Sequence, residues 1–386
     1  MNDKRIISIY LPQFHPIPEN DKWWGKGFTE WTNVTRATPL LKGHYQPHLP
    51  SDLGFYDLRL ADTREAQAEL ARQHGIYGFC YYHYWFNGHR LLNRPIDEVL
   101  ASGKPDFPFM FCWANENWSR RWNEEDQAIL MKHEYSLEDD ERHINFLIPF
   151  FKDKRYIKIG NKPVFSIYRS DLFPDITQTI DLWRKVVRRH GFDDIYMINV
   201  QYFAKTFIDP AAYHFDASLA FQPNWAQAPS RLFGTWKDKL LQKLKIRESI
   251  YTVNYIAYYK DFVAQMMKAK PVDYKCYPSI TPGWDNSARK KRKGAILLDS
   301  TPQLFSAWLA DTLEKFKPYS KEENFIFINA WNEWAEGNHL EPCQKWGLAY
   351  LEALRDTLQS NHLTVENHEG SAQKDLSSVH QVPTRP

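Results

Sequence analysis

No apolar run in this 386-residue chain reaches the roughly 18 residues that a membrane-spanning helix needs. The N-terminus, MNDKRIISIY, passes straight from charge to a strand-like pattern, with no apolar stretch leading to a small-residue cleavage site. A soluble, unexported, cytoplasmic protein is the expectation. Net charge is nearly absent as well. The 49 basic residues against 47 acidic ones leave +2, which gives no large field to hold a nucleic-acid backbone or an anionic membrane. Cysteine is scarce: Cys80, Cys112, Cys276 and Cys343 lie far apart, three of them in or beside apolar strand-like runs where a thiol acts as a small hydrophobe, so reduced thiols are expected. No Gly-x-Gly-x-x-Gly turn follows the first strand, which disfavours a dinucleotide-binding sheet, and neither an Asp-x-Asp metal motif nor a Gly-rich phosphate cradle occurs. Neither a metal nor a cofactor is expected.

What the chain has in excess is aromatic side chains, 16% of residues, with 15 Trp, 21 Tyr and 24 Phe in a sequence whose mean hydropathy is -0.59. Aromatic faces stack on the C–H faces of sugar rings while nearby amides and carboxylates bond the hydroxyls, so the composition leans towards carbohydrate. Short β-branched and aromatic runs near Ile6–Leu11, Gly78–Tyr82, Pro108–Trp113, Pro163–Tyr168, Ile195–Val200, Phe215–Phe221, Tyr274–Ile280 and Phe325–Asn329 read as strands. Helical periods fall at Asp62–His74, Pro95–Ser102, Leu137–Phe151, Ile176–His190, Ser249–Lys268, Pro302–Phe316 and Lys345–Leu358. This alternation fits a (β/α)8 TIM barrel over residues 1–358, the competing architecture being an open doubly wound sheet. Residues 359–386 are polar and aperiodic and read as a disordered tail. The connection after the first strand, residues 12–52, is too polar and aromatic for a plain connector and is expected to form a lid or wall.

In such a barrel the reacting groups leave the C-terminal ends of the strands. Those exits carry Gln13 and His15; Tyr82, His83, Tyr84 and Trp85; Trp113, Asn115, Glu116 and Trp118 with Arg120 and Arg121; Gln201 and Tyr202; Gln222 and Trp225; Trp284, Asp285 and Asn286; and Asn332, Glu333, Trp334, Glu336 and His339. The pair Glu333 and Glu336, set between Trp331 and Trp334 in "FIFINAWNEWAEGNHLEP", suits acid and base work on a glycosidic bond, which needs two carboxyl groups about 5–10 Å apart. The plain alternative is a capping or arginine-paired glutamate. Glu116, in "CWANENW", is a rival acid/base, or a carboxylate bridged to Arg120 or Arg121, while Asn115 suits a sugar hydroxyl. His83 reads as a neutral imidazole lining a sugar subsite or as a satisfied core histidine; no His-x-x-x-His or Cys-x-x-Cys spacing accompanies it. His44 and His48 have a ligand-like offset, but Pro47 between them forbids a regular helix face. Trp23, Trp24 and Trp31 in the first loop await a ligand, a partner or their own packing, and the basic run Arg289 to Lys293 is placed to meet an anionic part of a substrate.

The segments "SIYLPQFHPIPENDKWWGKGFTEWTNV", "HYQPHLPSDLGFYDLR", "GIYGFCYYHYWFNG", "PFMFCWANENWSRRW", "KPVFSIYR", "PSITPGWDNSAR" and "INAWNEWAEGNHLEP" together resemble the WbsX-like family found with surface-polysaccharide biosynthesis. That family is similar to family 99 glycoside hydrolases, the endo-α-mannosidases. The resemblance covers about residues 6 to 357 and implies a (β/α)8 barrel acting on an oligosaccharide or polysaccharide, while the near-neutral charge leaves no nucleic-acid partner expected. It further implies a retaining, endo-acting glycosidase or transglycosylase on an α-linked, mannan-like, O-antigen or capsule glycan. Glu333 would then polarise a sugar 2-hydroxyl that forms a 1,2-anhydro intermediate, and Glu336 would protonate the leaving oxygen. Tyr82, His83, Trp85, Trp113, Asn115, Glu116, Trp118, Gln222, Trp284, Asp285, Asn332, Trp334 and His339 would line the substrate site. The aromatic first loop and "WANENW" depart from the mannosidases. A glycosyltransferase using an activated donor and a non-catalytic glycan-binding barrel are the competing functions.

Overall fold

The computed structural model describes residues 4–121, 127–201, 209–246 and 248–361. Eight parallel strands close on themselves: β1 (Arg5–Tyr10), β2 (Ile76–Phe86), β3 (Phe109–Trp113), β4 (Lys162–Ile167), β5 (Tyr196–Gln201), β6 (Ala217–Ala220), β7 (Cys276–Ile280) and β8 (Phe325–Ile328). Each pairs with its neighbour in sequence, and β1 closes the ring by pairing with both β2 (Ile9 opposite Cys80) and β8 (Ser8 opposite Ile328). The open-sheet alternative is thereby excluded. β8 reads FIFI and is buried throughout, as expected where one strand face fills the barrel and the other lies under helices.

The helices between strands start where the sequence supplies caps. Ser136 accepts from the Asp139 amide at the head of α3 (Leu137–Lys152), Asp175 from Thr177 at α4 (Ile176–Arg189), and Thr301 from Leu304 at α6 (Pro302–Lys315), where Pro302 takes the first turn. With α1 (Ala61–Gln73), α2 (Arg94–Ser102), α5 (Tyr259–Met266) and α7 (residues 349–361), they cover the ring. Between β5 and β6 the described residues hold only a short turn, Pro210–Tyr213.

Two expectations need correction. The helix expected over Ser249–Lys268 is broken by a strand, Tyr255–Tyr258, that pairs in parallel with Ala295–Leu298. Its tyrosines and Ile256 favour an extended partner, and buried Asn254, accepting from the Gly294 amide, anchors the pairing. The first loop, expected to form a lid or wall, holds two short helices, Pro18–Trp24 and Glu30–Thr35. The helix expected from Lys345 starts at residue 349 and runs through residue 361, three residues into the expected tail; the rest of that tail lies outside the described residues.

Candidate active site

After β8 the chain turns back on itself: Asn332–Glu333 pairs antiparallel with Asn338–His339 around a single tight turn, Trp334–Glu336. Gly337 closes it at φ 55, and a Cβ there would lie 3.0 Å from the Asp285 Cβ, so both conformation and space demand glycine. Asn332 fixes the turn to β1, its Oδ1 accepting from the Leu11 amide at 2.7 Å and its Nδ2 donating to the Leu11 carbonyl at 3.0 Å. Asn332→Ala strands both buried backbone groups. It is expected to lower unfolding free energy by about 1–3 kcal/mol in urea titrations. The Asp285 amide donates to the Glu336 carbonyl at 2.6 Å, locking the exit of β7 onto that of β8.

This frame points both acids at one guanidinium. Arg289, reached from β7 through a short turn that Asp285 caps, bonds Glu333 through Nη2 at 2.9 Å and Glu336 through Nη1 at 2.8 Å. A third carboxylate, Glu30 from the first loop, takes Nε and Nη2, both at 3.0 Å. Bonding to the two terminal nitrogens of one planar guanidinium sets the carboxyl groups of Glu333 and Glu336 side by side, near enough to act on neighbouring atoms of one sugar ring.

Three carboxylates share one cation, so full ionisation would leave excess negative charge in a buried place. Burial, only partly offset by Arg289 and reinforced by Glu336 and Glu30, pushes Glu333 up to about 8. Burial likewise raises Glu336 against the pull of Arg289, and the three acids outweigh burial at Arg289 and hold it firmly cationic. The pair therefore retains a proton between them near neutral pH.

The guanidinium does not seal the acids away. Glu333, Glu336 and Arg289 border a cleft of about 490 Å³, walled by Tyr82, Tyr84, Trp118, Tyr168, Trp225 and Trp284, with Glu116, Lys290 and Lys293 along its edges. That size suits a small ligand or a sugar unit or two. Trp23 packs edge-on behind Trp118 at 5.8 Å, so the first loop buttresses the wall.

Of the residues expected to line the site, Tyr82, Glu116, Trp118, Trp284, Glu333 and Glu336 do so. The others do not. His83, Trp85 and Trp113 face the helical layer: His83 Nε2 lies 2.9 Å from His143 Nε2, Trp85 donates to Asp139 at 2.9 Å, and Trp113 stacks on Trp183. The cause is the two-residue alternation of β2, which sends Tyr82 and Tyr84 inward and their neighbours outward. His83 is the satisfied core histidine, kept neutral by burial and by Arg90. Asn115 is spent on backbone, donating to the Arg169 carbonyl and accepting from its amide, and Asn332 is spent on Leu11. Trp334 is buried, stacked on His339 at 3.7 Å and donating to Glu341. Asp285 accepts from Gln46 and meets His44, both at 2.6 Å, and Gln222 accepts from the Asn224 amide. Glu116 pairs with Arg169 at 2.7 Å; the side chains of Arg120 and Arg121, its expected partners, lie outside the described residues.

Arg289 stood in the sequence only as the head of a basic run, and Glu30 not at all. The available signal was Glu30 in "GFTEWTNV", an acid whose neighbour Trp31 is buried against Trp334 on the acid-bearing turn. Among the described residues no group of three or more His, Cys, Asp or Glu converges as a metal site would require.

Comparison with known proteins agrees with this architecture. The family model described as "Glycosyltransferase WbsX" matches residues 6–354. The uncharacterized protein WxcX of Xanthomonas campestris pv. campestris is 40% identical over 357 residues, which are 92% of this chain and 49% of WxcX. The chain thus spans about half the length of the curated relatives it matches. Among solved structures, the GH99 endo-alpha-mannosidase from Bacteroides thetaiotaomicron shares the fold with a TM-score of 0.57 at 12% identity, covering 95% of this chain and 99% of that one. A glycoside hydrolase-like protein aligns with a TM-score of 0.56 at 14% identity, over 93% of this chain and 94% of that one. The family model spans the whole barrel and both acids, and the chain belongs to the WbsX glycosyltransferase family.

Proposed function

We propose that the chain is a retaining, endo-acting glycosidase or transglycosylase on an α-linked glycan of surface-polysaccharide assembly, mannan-like or of O-antigen or capsule type. One observation carries this reading: two carboxyl groups from one turn, both bonded to Arg289 and both raised by burial, border an aromatic-walled cleft. In the first step, from the arrangement with the pair's proton on Glu336 and Glu333 ionised, Glu333 takes the proton of a sugar 2-hydroxyl as its oxygen attacks C1, and Glu336 gives its proton to the oxygen that leaves C1. In the second, Glu336 takes a proton from water or an acceptor hydroxyl that attacks C1, the C1–O2 bond opens, and Glu333 returns its proton to O2. Each carboxyl ends as it began, and two inversions at C1 give retention. Arg289 holds both acids at this spacing and stabilises whichever is ionised. The rings of Trp118, Trp225 and Trp284 offer faces for the sugar units on either side.

The test is incubation of the purified chain with defined α-linked oligosaccharides, with products and anomeric configuration read by mass spectrometry and NMR. Cleavage or transfer with retention is expected without any nucleotide sugar. Inverted product would end the 1,2-anhydro scheme. The rate is expected to fall about tenfold per pH unit on the alkaline side, once the pair loses the proton that burial holds on it and that keeps Glu333 raised to about 8. A rate still rising at pH 9 would show that no carboxyl acid is required.

A second reading rests on Lys290 and Lys293 at the cleft edge, where a phosphate of an activated donor would meet cations. Turnover that depends strictly on a nucleotide or lipid-phosphate sugar would favour it.

A further inference from the structure

The connection leaving the C-terminal end of β6, on the rim where the cleft opens, carries an eight-residue helix, Trp236–Lys243. Its outer face is apolar and exposed: Trp236, with the Lys237 ammonium 5.7 Å from its ring centre, is 71% exposed, Leu240 47%, Leu244 58% and Ile246, just beyond, 71%. Trp236, Leu240 and Leu244 recur every fourth residue and so form one row along the helix. Exposed lysines flank that row, Lys237 on one side and Lys239 and Lys243 on the other, with Lys245 at the end. The segment's acid, Asp238, is turned inward, accepting from the amides of Gly234 and Thr235 in a capping box.

The patch continues onto the rim. The Arg292 guanidinium donates to the Ser249 hydroxyl at 3.1 Å and Asn254 donates to the Lys291 carbonyl at 3.3 Å, which ties the exposed run Lys290 to Lys293 to the same connection. A chain whose total charge is only +2 therefore carries four exposed lysines beside one apolar row and four more exposed Lys and Arg on a rim segment tied to the same connection.

We propose that this helix docks the protein on an anionic lipid bilayer, with Trp236, Leu240, Leu244 and Ile246 entering the interface and the surrounding lysines meeting lipid headgroups. An apolar stripe with an indole at its end and cations on both sides matches a boundary that is apolar below and anionic above, and lysine stems can lie along the apolar layer while their ammonium groups stay in the headgroups. A protein partner would need an apolar groove with acids on both banks. The near-neutral total charge gives no long-range field for an anionic membrane, so the proposal rests on the local lysines beside the apolar row. This inference stands apart from the chemistry assigned to the acids, since it concerns the place of the cleft and not its reaction.

The test is co-sedimentation of the full 386-residue chain with vesicles of phosphatidylcholine alone or with about 30% phosphatidylglycerol, at low salt and at about 0.5 M NaCl. Binding is expected to be at least about tenfold stronger to the anionic vesicles and to be largely lost at high salt. L240E combined with L244E is expected to lower it about tenfold or more, and K237Q, K239Q and K243Q together by a similar factor. These side chains are exposed, so thermal unfolding of the variants should match the parent. Equal sedimentation with both vesicle types, none with either, or unchanged binding by the L240E/L244E variant would overturn the proposal. Retention on polyglutamate beads without vesicle binding would assign the patch to an acidic protein surface instead.

Discussion

Glu333→Gln and Glu336→Gln are each expected to lower turnover on a verified oligosaccharide by about three orders of magnitude or more while leaving glycan binding measurable. Glutamine keeps the shape of the carboxyl group and can still meet Arg289, but it cannot carry a proton to or from the sugar. The fold should survive the change. Glu333 titrates higher in the folded protein than in the unfolded chain, so between about 4.5 and about 8 the native state binds more protons and its stability falls as pH rises. Removing the carboxyl removes that penalty, and the melting temperature of Glu333→Gln at pH 8 should equal or exceed the parent's. A dead enzyme that is no less stable would locate the loss in chemistry. Near-normal rates in both variants would sink the assignment.

Arg289→Met is the second large effect. Methionine approximates the length of the arginine stem but leaves Glu30, Glu333 and Glu336 without the cation that bonds all three, and Glu30 and Glu333 are buried. Breaking a buried ion pair from one side costs about 3–5 kcal/mol, and the arginine side chain is only 26% exposed, so cleft water screens it in part. The sign with pH is fixed by the carboxylates. At pH 8 the unpaired acids are forced apart or forced to protonate, whereas at pH 5 they hold protons more readily, so the destabilisation should shrink as pH falls. Denaturant titrations of parent and variant at both pH values measure this directly. An equal loss at pH 5 and pH 8 would mean that Arg289 contributes packing alone. Surviving activity should have its upper pH limb moved higher, since the cation no longer draws protons off the pair.

The placement of the acids was legible because the pattern around them is extreme. An apolar strand ending in Asn332-Glu333 and Glu336, with tryptophans on both sides, has few structural uses. The strands were legible for a related reason: parallel barrel strands are buried on both faces, so they read as short continuous apolar runs. What the runs could not convey was which residue beyond each strand turns inward. Tyr82, His83, Tyr84 and Trp85 look equally suited to a sugar site in the sequence, and only the register of β2 against β1 and β3 separates the tyrosines in the cleft from His83 and Trp85 under α3. Asn115, Asn332 and Asp285 misled in another way. A polar residue at a strand exit can bond a ligand or can bond backbone, and buried amides and carbonyls nearby decide which.

The amino-acid sequence by itself determined the barrel, through the spacing of eight apolar runs and the caps between them, and the position of the two acids, because both properties are local. The tertiary structure alone decided that Glu30, some 300 positions away, and Arg289 close on those acids, and that the basic run Lys290 to Lys293 is tied to the connection that carries the lysine-flanked helix. The physical reason is that charge acts over ångströms of space and not along the chain. A guanidinium meeting three carboxylates, or a basic run tied to a lysine-flanked helix, exists only once separate loops have been brought together at the mouth of the barrel.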